Sequence, residues 1–582
     1  MGRRPILSLR CLATLFVLAS MAQAAAIPAH AQYFGRNKVQ YDHFDFRILP
    51  TERFEVYFYP AAEIAAKDAA RMAERWYARH LAVVRHEYSG VPLIFYADPP
   101  DFQQTNVIAG FIGQGTGGVT ESLRERVIMP FTGVYSETDH VLGHELVHVS
   151  QYKIAESVRG GFTNLTRIPL WLIEGMAEYL SLARDDPNTT MWLRDALRRD
   201  DLPTIVQLTN DARYFPYRYG QALWAFIGGT WGDDAVNAVF RGALEAGWEA
   251  ALRVHLGMST DSLSAAWHAA IRREMGPELA QRTAPEALGR AVVAGDEGDQ
   301  NVAPTVSPDG RYVAYFSSRG LFGMELFVAD VATGRTVKQI TSITTNPHFD
   351  ALSFISTAGS WSPDGRRLAV VVYAEGDNEI DIFDVESGDV VERIRTPGVG
   401  GMADPAWSPD GQRLAFSGMK GGISDLYVYD FAERRTRQLT DDREAQLQPA
   451  WSPDGRAIAF ATDAGEGTDF QRLTFGELRL ALLDAASGTV RLLPGFDRGK
   501  HINPQFSPDG STLFFISDRD GVSDIYRLTL ETGEMRRVTR VATGVSGITA
   551  LSPALSVSRA TGALLFTVIH RQGYAIRALE GV

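Results

Sequence analysis

The sequence predicts a multidomain chain, an α+β domain followed by an all-β domain of six-bladed β-propeller type. Two observations carry this. Ser-Pro-Asp-Gly recurs five times in the second half, starting at Ser307, Ser362, Ser408, Ser452 and Ser507, with spacings of 55, 46, 44 and 55 residues. The first half instead mixes alternating and helical-period segments around one motif, His144-Glu145-Leu146-Val147-His148. At 582 residues the chain exceeds what one core holds. The change of pattern sets the expected division: a leader over 1–31, a first domain over 32–294, a linker over 295–300 and the propeller over 301–582.

The leader reads as an export signal. Arg3, Arg4 and Arg10 form a basic start, Cys11 to Ala22 is mostly apolar, and Ala29-His30-Ala31 before Gln32 fits the small-x-small cleavage pattern. The only cysteine, Cys11, falls in this segment, so the mature chain has no disulfide framework. No later run of 18 or more apolar residues predicts a membrane span. The expected location is therefore the periplasm or outside a bacterial cell. Composition is globular, 45% hydrophobic and 22% charged. Loss of the three leader arginines takes the formal net charge from −13 to −16. Such an acidic chain is a poor nucleic-acid binder.

In the first domain Arg53 to Tyr59 alternates as a half-buried strand, and Ala61 to about His86 has helical period. Val91 to Tyr96 is a second strand. A loop with Gly113, Gly115, Gly117 and Gly118 leads to a third, Arg126 to Phe131. That loop lacks the lysine of a phosphate-binding loop, which argues against nucleotide binding. A helix is expected from about Glu137, capped by Ser136 or Thr138, to before Gly160-Gly161.

That helix carries the chemistry. Residues four apart turn by about 400°, so His144 and His148 share a face where both imidazoles can hold one ion. Glu145, about 100° further round, could take a proton from a metal-activated water. A zinc of this kind keeps three protein ligands and one open position. A second motif follows in Trp171-Leu172-Ile173-Glu174-Gly175-Met176-Ala177, with Glu178 one turn after Glu174. The metzincin pattern is excluded, because its Gly and third His positions are Gln151 and Ile154 here. His140, one turn before His144, reads as a solvated or core-satisfied histidine.

Together these motifs resemble the gluzincin peptidases, the superfamily of thermolysin and the aminopeptidase-N-like enzymes. The resemblance implies one Zn²⁺ per chain held by His144, His148 and Glu174, with Glu145 as general base. It further implies that Glu178 hydrogen-bonds a ligand imidazole. The third strand would be the sheet edge that receives an extended substrate. A downstream tyrosine would stabilise the oxyanion, with Tyr219 the first choice and Tyr217 the second. The aminopeptidase-N-like branch binds a substrate amine through a G-x-M-E-N segment. The nearest stretch here is Gly117-Gly118-Val119-Thr120-Glu121, which favours an endopeptidase over an aminopeptidase.

In the second half each Ser-Pro-Asp-Gly follows an apolar residue and precedes a strand such as Arg311-Tyr312-Val313-Ala314-Tyr315. Pro presets φ, Asp bonds its own backbone and Gly takes positive φ, so these are turn formers. Units of this length with four strands are propeller blades, and they resemble TolB-type propellers. A sixth, degenerate unit lies in Leu551 to Leu579, without the Pro-Asp-Gly turn. The whole reads as an exported zinc metallopeptidase acting on a peptide or protein substrate, with a propeller that binds a partner or substrate. The alternatives are a non-catalytic propeller-based binding or scaffold protein, and a zinc hydrolase of a non-peptide amide.

Overall fold

The structure, a computed structural model, describes residues 39–581 apart from 109, 297, 320–322 and 342–350. The expected leader, with Cys11 and the cleavage site before Gln32, lies outside the described residues.

The first half contains one sheet and many helices. β1 (Arg47–Pro50), β2 (Phe54–Phe58), β3 (Val91–Tyr96), β4 (Val119–Glu121) and β5 (Arg126–Pro130) pair in the order β1-β2-β3-β5-β4. β2, β3 and β5 run parallel, and β1 and β4 flank them antiparallel. The expectation that Arg126 to Phe131 is the open edge is corrected here. β4 lies outside β5, with Thr120 opposite Val127. At three residues, β4 is too short to declare itself by alternation.

The helices are α1 (Glu63–Val84), α2 (Pro99–Gln103), α3 (Tyr135–Ser157), α4 (Gly161–Leu165), α5 (Leu170–Leu182), α6 (Pro187–Arg198), α7 (Ile205–Asn210), α8 (Pro216–Trp231), α9 (Asp233–Ala246), α10 (Trp248–Leu256) and α11 (Thr260–Leu279). α3 starts two residues before the expected position and has no side-chain cap. The Thr138 hydroxyl instead lies 2.9 Å from that of Thr132. α3 is the wall shared by two cores. Leu142, Leu146 and Val149 pack with α1 and the sheet, whereas Val147, Ile154 and Ala155 pack with α5 and the later helices. With apolar groups on both flanks, only a narrow stripe of α3 is left for polar side chains.

The second half is a six-bladed propeller. Its sheets run from the strands starting at Asn301, Ala351, Gly401, Gln446, His501 and Leu555. The turns form as their chemistry requires: Ser362 Oγ donates to Asp364 Oδ1 at 2.6 Å, that oxygen accepts the Arg366 N–H at 3.1 Å, and Gly365 has φ +70°. The last blade is completed by β6 (Arg290–Val293), which pairs with Gly573–Leu579. The propeller therefore begins before residue 294, ahead of the expected boundary, because closing the ring requires a strand from the other end of the chain. The expected linker is also tied down, since Tyr574 N–H donates to Asp299 O at 2.7 Å and Gly298 N–H to Arg571 O at 3.0 Å.

The two halves pack closely. Arg282 Nη1 meets Asp524 Oδ2 at 2.8 Å with both side chains buried, and the Asp195 carboxylate accepts the Gln572 N–H at 3.0 Å. A cavity of ≈ 600 Å³ lies between the domains, lined by Ser136 and Glu137 of α3 and by Lys500, Asp518 and Leu551 of the propeller. It opens two turns of α3 before His144.

Candidate metal centre

The polar stripe of α3 faces α5, and the two helices bring three ligand-type atoms together. His144 Nε2 and His148 Nε2 lie 3.1 Å apart, and Glu174 Oε2 is 3.4 Å from the first and 3.3 Å from the second. Among the described residues this is the one group of three such side chains that could hold an ion. Ligands on a tetrahedral zinc with bonds of 2.0–2.1 Å stand about 3.3–3.4 Å apart, so the triangle has the size of three corners of such a site.

The outer nitrogens explain why the inner ones converge. His144 Nδ1 lies 3.2 Å from Glu178 Oε1, and His148 Nδ1 lies 2.9 Å from Gln151 Oε1. Both partners are acceptors, so both Nδ1 atoms carry the proton and both Nε2 atoms present lone pairs. Glu174 Oε2 is buried between the two imidazoles, within 3.4 Å of both. With the Nδ1 protons directed outward, the three inner atoms can offer lone pairs to one cation, whose charge would take the place of a proton on His144, so the residues present fit the metal.

Each carboxylate is held in place. Glu178 also meets Arg218 Nη1 at 3.1 Å, and Gln151 Nε2 donates to Ile173 O at 2.9 Å. Burial opposes ionisation of Glu178, but His144, Arg218 and His140 hold it down to about 2. Burial opposes a charge on His144 too, yet Glu174 and Glu178 push it up to about 10. The two carboxylates thus favour a positive charge between them. Glu145, on the same helix, is buried, and its Oε2 accepts the Thr120 hydroxyl of β4 at 2.6 Å.

The tyrosine assignment is corrected. Tyr219 points away from the metal site, is fully buried beside Tyr214 and Trp192, and its hydroxyl has no hydrogen-bond partner. Tyr217 is the residue at the site. Its ring lies 6.0 Å from that of His144 at an interplanar angle of 10°. Its phenol is pushed up by burial and by the Glu174 carboxylate, with which it interacts directly. Tyr152 stacks similarly on His148, with centroids 6.4 Å apart. His140 stays outside the triangle: its Nε2 is 3.9 Å from Glu178 Oε1 and its Nδ1 is buried without a partner.

Sequence reasoning missed Thr120 and Gln151. Gln151 had a usable signal, since an amide three residues after a ligand histidine can reach its Nδ1 across one helical turn. Thr120 had none, because its approach to Glu145 depends on how β4 packs against α3.

Residues 351–475 match the family described as the TolB beta propeller domain, PD40. No curated protein matches the chain. Among solved structures the chain is similar to TolB from Acinetobacter baumannii, at 19% identity and TM-score 0.35, over 56% of this chain and 71% of that one. It is also similar to a putative TolB from Agrobacterium tumefaciens, at 19% identity and TM-score 0.33, over 49% of this chain and 86% of that one. By the family match the C-terminal repeats are TolB-like, and residues 351–475 lie wholly within the propeller.

Proposed function

We propose that the chain is a zinc-dependent peptidase in which His144, His148 and Glu174 hold one Zn²⁺. The observation that supports this most directly is the triangle of His144 Nε2, His148 Nε2 and Glu174 Oε2, with sides of 3.1–3.4 Å. When bound, zinc supplies a Lewis acid that lowers the pKa of water to about 7 and polarises a carbonyl.

The chain's own residues do the rest. Glu145 accepts the proton of the attacking water and delivers it to the leaving amine. Thr120, donating to Glu145 Oε2, fixes the carboxylate so that Oε1 faces the reacting water. Tyr217 donates its phenolic proton to the developing oxyanion. The edge β4, beside Glu145, pairs with an extended substrate backbone, which suits peptides and unfolded segments. Glu121 on that edge is ion-paired with Arg126 and is not free to take an α-amine, in line with endopeptidase activity.

The TolB-like propeller supports a binding or scaffold role for the second half. Among the described residues no helix is long and apolar enough to cross a membrane. Export to the periplasm or medium rests on residues 1–31 of the sequence. The test is zinc content of the purified protein together with casein cleavage by the wild type and by Glu145→Gln. About one zinc per chain, with cleavage that the variant loses, supports the proposal. A zinc-free protein, or activity that survives in Glu145→Gln, shifts the function to the propeller as a binding module.

A further inference from the structure

We propose that the propeller channel is a second binding site, one that takes the C-terminal carboxylate of an extended peptide on Arg559. This site is independent of the metal-centre reading.

The first observation is a substitution within the repeat. Five turns place Pro308, Pro363, Pro409, Pro453 and Pro508 after their serines. The sixth turn reads Ser558-Arg559-Ala560-Thr561-Gly562. Ser558 N–H donates to Ala563 O at 2.9 Å as Ser307 N–H does to Tyr312 O at 2.8 Å, and Gly562 has φ +71°. Arg559 therefore stands where the other blades have proline, at the mouth of the channel.

The second observation is the channel itself, a cavity of ≈ 190 Å³ on the propeller axis. Its lining includes Arg559, Trp407, Trp451, Ser360, Ser556 and Asp404. Arg559 makes one hydrogen bond, from Nη2 to Trp407 O at 3.3 Å, and has no carboxylate partner among the described residues. Burial lowers its pKa, and no acid acts on it.

The third observation is that, Asp404 apart, the side chains around it have protons left to donate. Trp361 Nε1 and Trp451 Nε1 each donate to the preceding blade, to Thr305 O at 2.9 Å and to Ala406 O at 3.1 Å. The corresponding N–H of Trp407 is buried and unpartnered. Ser360 Oγ and Ser556 Oγ accept the backbone N–H of Trp407 and Val306, each at 3.1 Å, which leaves each hydroxyl proton to donate. A guanidinium and two hydroxyls call for an anion with several acceptor sites.

A carboxylate fits better than a free tetrahedral oxyanion. The planar guanidinium fork matches a carboxylate. The cavity holds the volume of about six waters, more than a single oxyanion fills. Asp404, the other charged group in the lining, accepts one hydrogen bond from the protein, the Ala358 N–H at 3.2 Å, and does not act on Arg559. It suits a peptide N–H and disfavours a multiply charged anion.

The test uses full-length Glu145→Gln protein, titrated with acetyl-trialanine, with its C-terminal amide and with inorganic phosphate. Calorimetry and the fluorescence of the channel tryptophans report binding. The free acid is expected to saturate. The amide, and the free acid on an added Arg559→Gln change, should bind at least about tenfold more weakly, with Arg559→Lys intermediate. Arg559 stands in a turn and makes a single hydrogen bond to the protein, so both variants should keep the wild-type circular dichroism and melting profile. Equal binding of acid and amide, unchanged binding by Arg559→Gln, no saturation by about 10 mM, or binding of phosphate alone would each overturn the proposal.

Discussion

Tyr217 lies nearly parallel to the imidazole of His144, with ring centroids 6.0 Å apart, while Tyr219, two residues on, is directed into the helical core. Two residues on a helix differ by about 200°, so the packing of α8 places one phenol at the metal site and the other away from it. Tyr217→Phe should lower kcat for casein or a peptide substrate by about a hundredfold with little change in KM, the size of losing one oxyanion donor. Tyr219→Phe should leave kcat unchanged and stability equal or slightly higher, because it removes a buried hydroxyl without a partner. The reverse pattern in steady-state kinetics would reassign the role.

Gln151 and Glu178 fix the imidazoles from behind. Gln151→Ala and Glu178→Gln should each weaken zinc binding about 10–100-fold, as read by competition with a chromophoric chelator. Glu178→Gln should have the broader effect, because it also removes the charge nearest Arg218, leaving that guanidinium with Asp186 at 3.5 Å. If zinc affinity stays at the wild-type value in both variants, these contacts do not orient the ligands.

Much of this site is legible in the sequence because its spacing is local. His144 and His148 converge on the geometry of one helix, and Glu174 with Glu178 repeats that geometry on the next. What is not legible depends on contacts distant in sequence. The facing of α8 decides between Tyr217 and Tyr219, and it is set by packing against α5. Thr120 reaches Glu145 from a strand of three residues. β6 pairs with a strand more than 280 positions later, so no local pattern marks Arg290–Val293 as part of the propeller. The six blades are legible because each carries its own turn chemistry, and even the degenerate one keeps the final glycine.

Thr120 should act through Glu145. Thr120→Val keeps the shape of the side chain but removes the hydroxyl that donates to Glu145 Oε2. Zinc content should stay at the wild-type level while kcat falls by about tenfold, and Thr120→Ser should recover most of it. Loss of zinc in Thr120→Val would instead show that the residue supports the fold of the site.

Asp404 gives a pH dependence with a defined sign. Burial raises its carboxyl from 3.8 to about 7 in the folded chain. The folded state therefore holds this proton across a range in which the unfolded chain has lost it. That contribution is full below about pH 4, is lost as pH rises to about 7, and stays lost above. Asp404→Asn removes the linkage. Its unfolding free energy from denaturant titration should exceed that of the wild type at pH 8, by an amount on the order of a few kcal/mol at most, and the difference should shrink to nothing near pH 4. A difference that grows on acidification would reject burial as the cause.

The crossing of α5 and α8 rests on two glycines, and it determines where Tyr217 can stand. A Cβ on Gly220 would lie 2.6 Å from Trp171 O and 2.9 Å from Gly175 Cα. Both contacts are backbone, which cannot move aside as a side chain can. Gly220→Ala should therefore push α8 away from α5, lower stability by about 1–3 kcal/mol and reduce kcat, because Tyr217 moves with the helix that carries it. Gly229 lies on the same helix with open space around its Cβ position. Gly229→Ala should raise stability by up to about 1 kcal/mol through helix propensity alone and leave kcat unchanged. The pair separates helix propensity from helix approach: equal effects of the two substitutions on the denaturant midpoint and on kcat would show that the close crossing does not position the tyrosine.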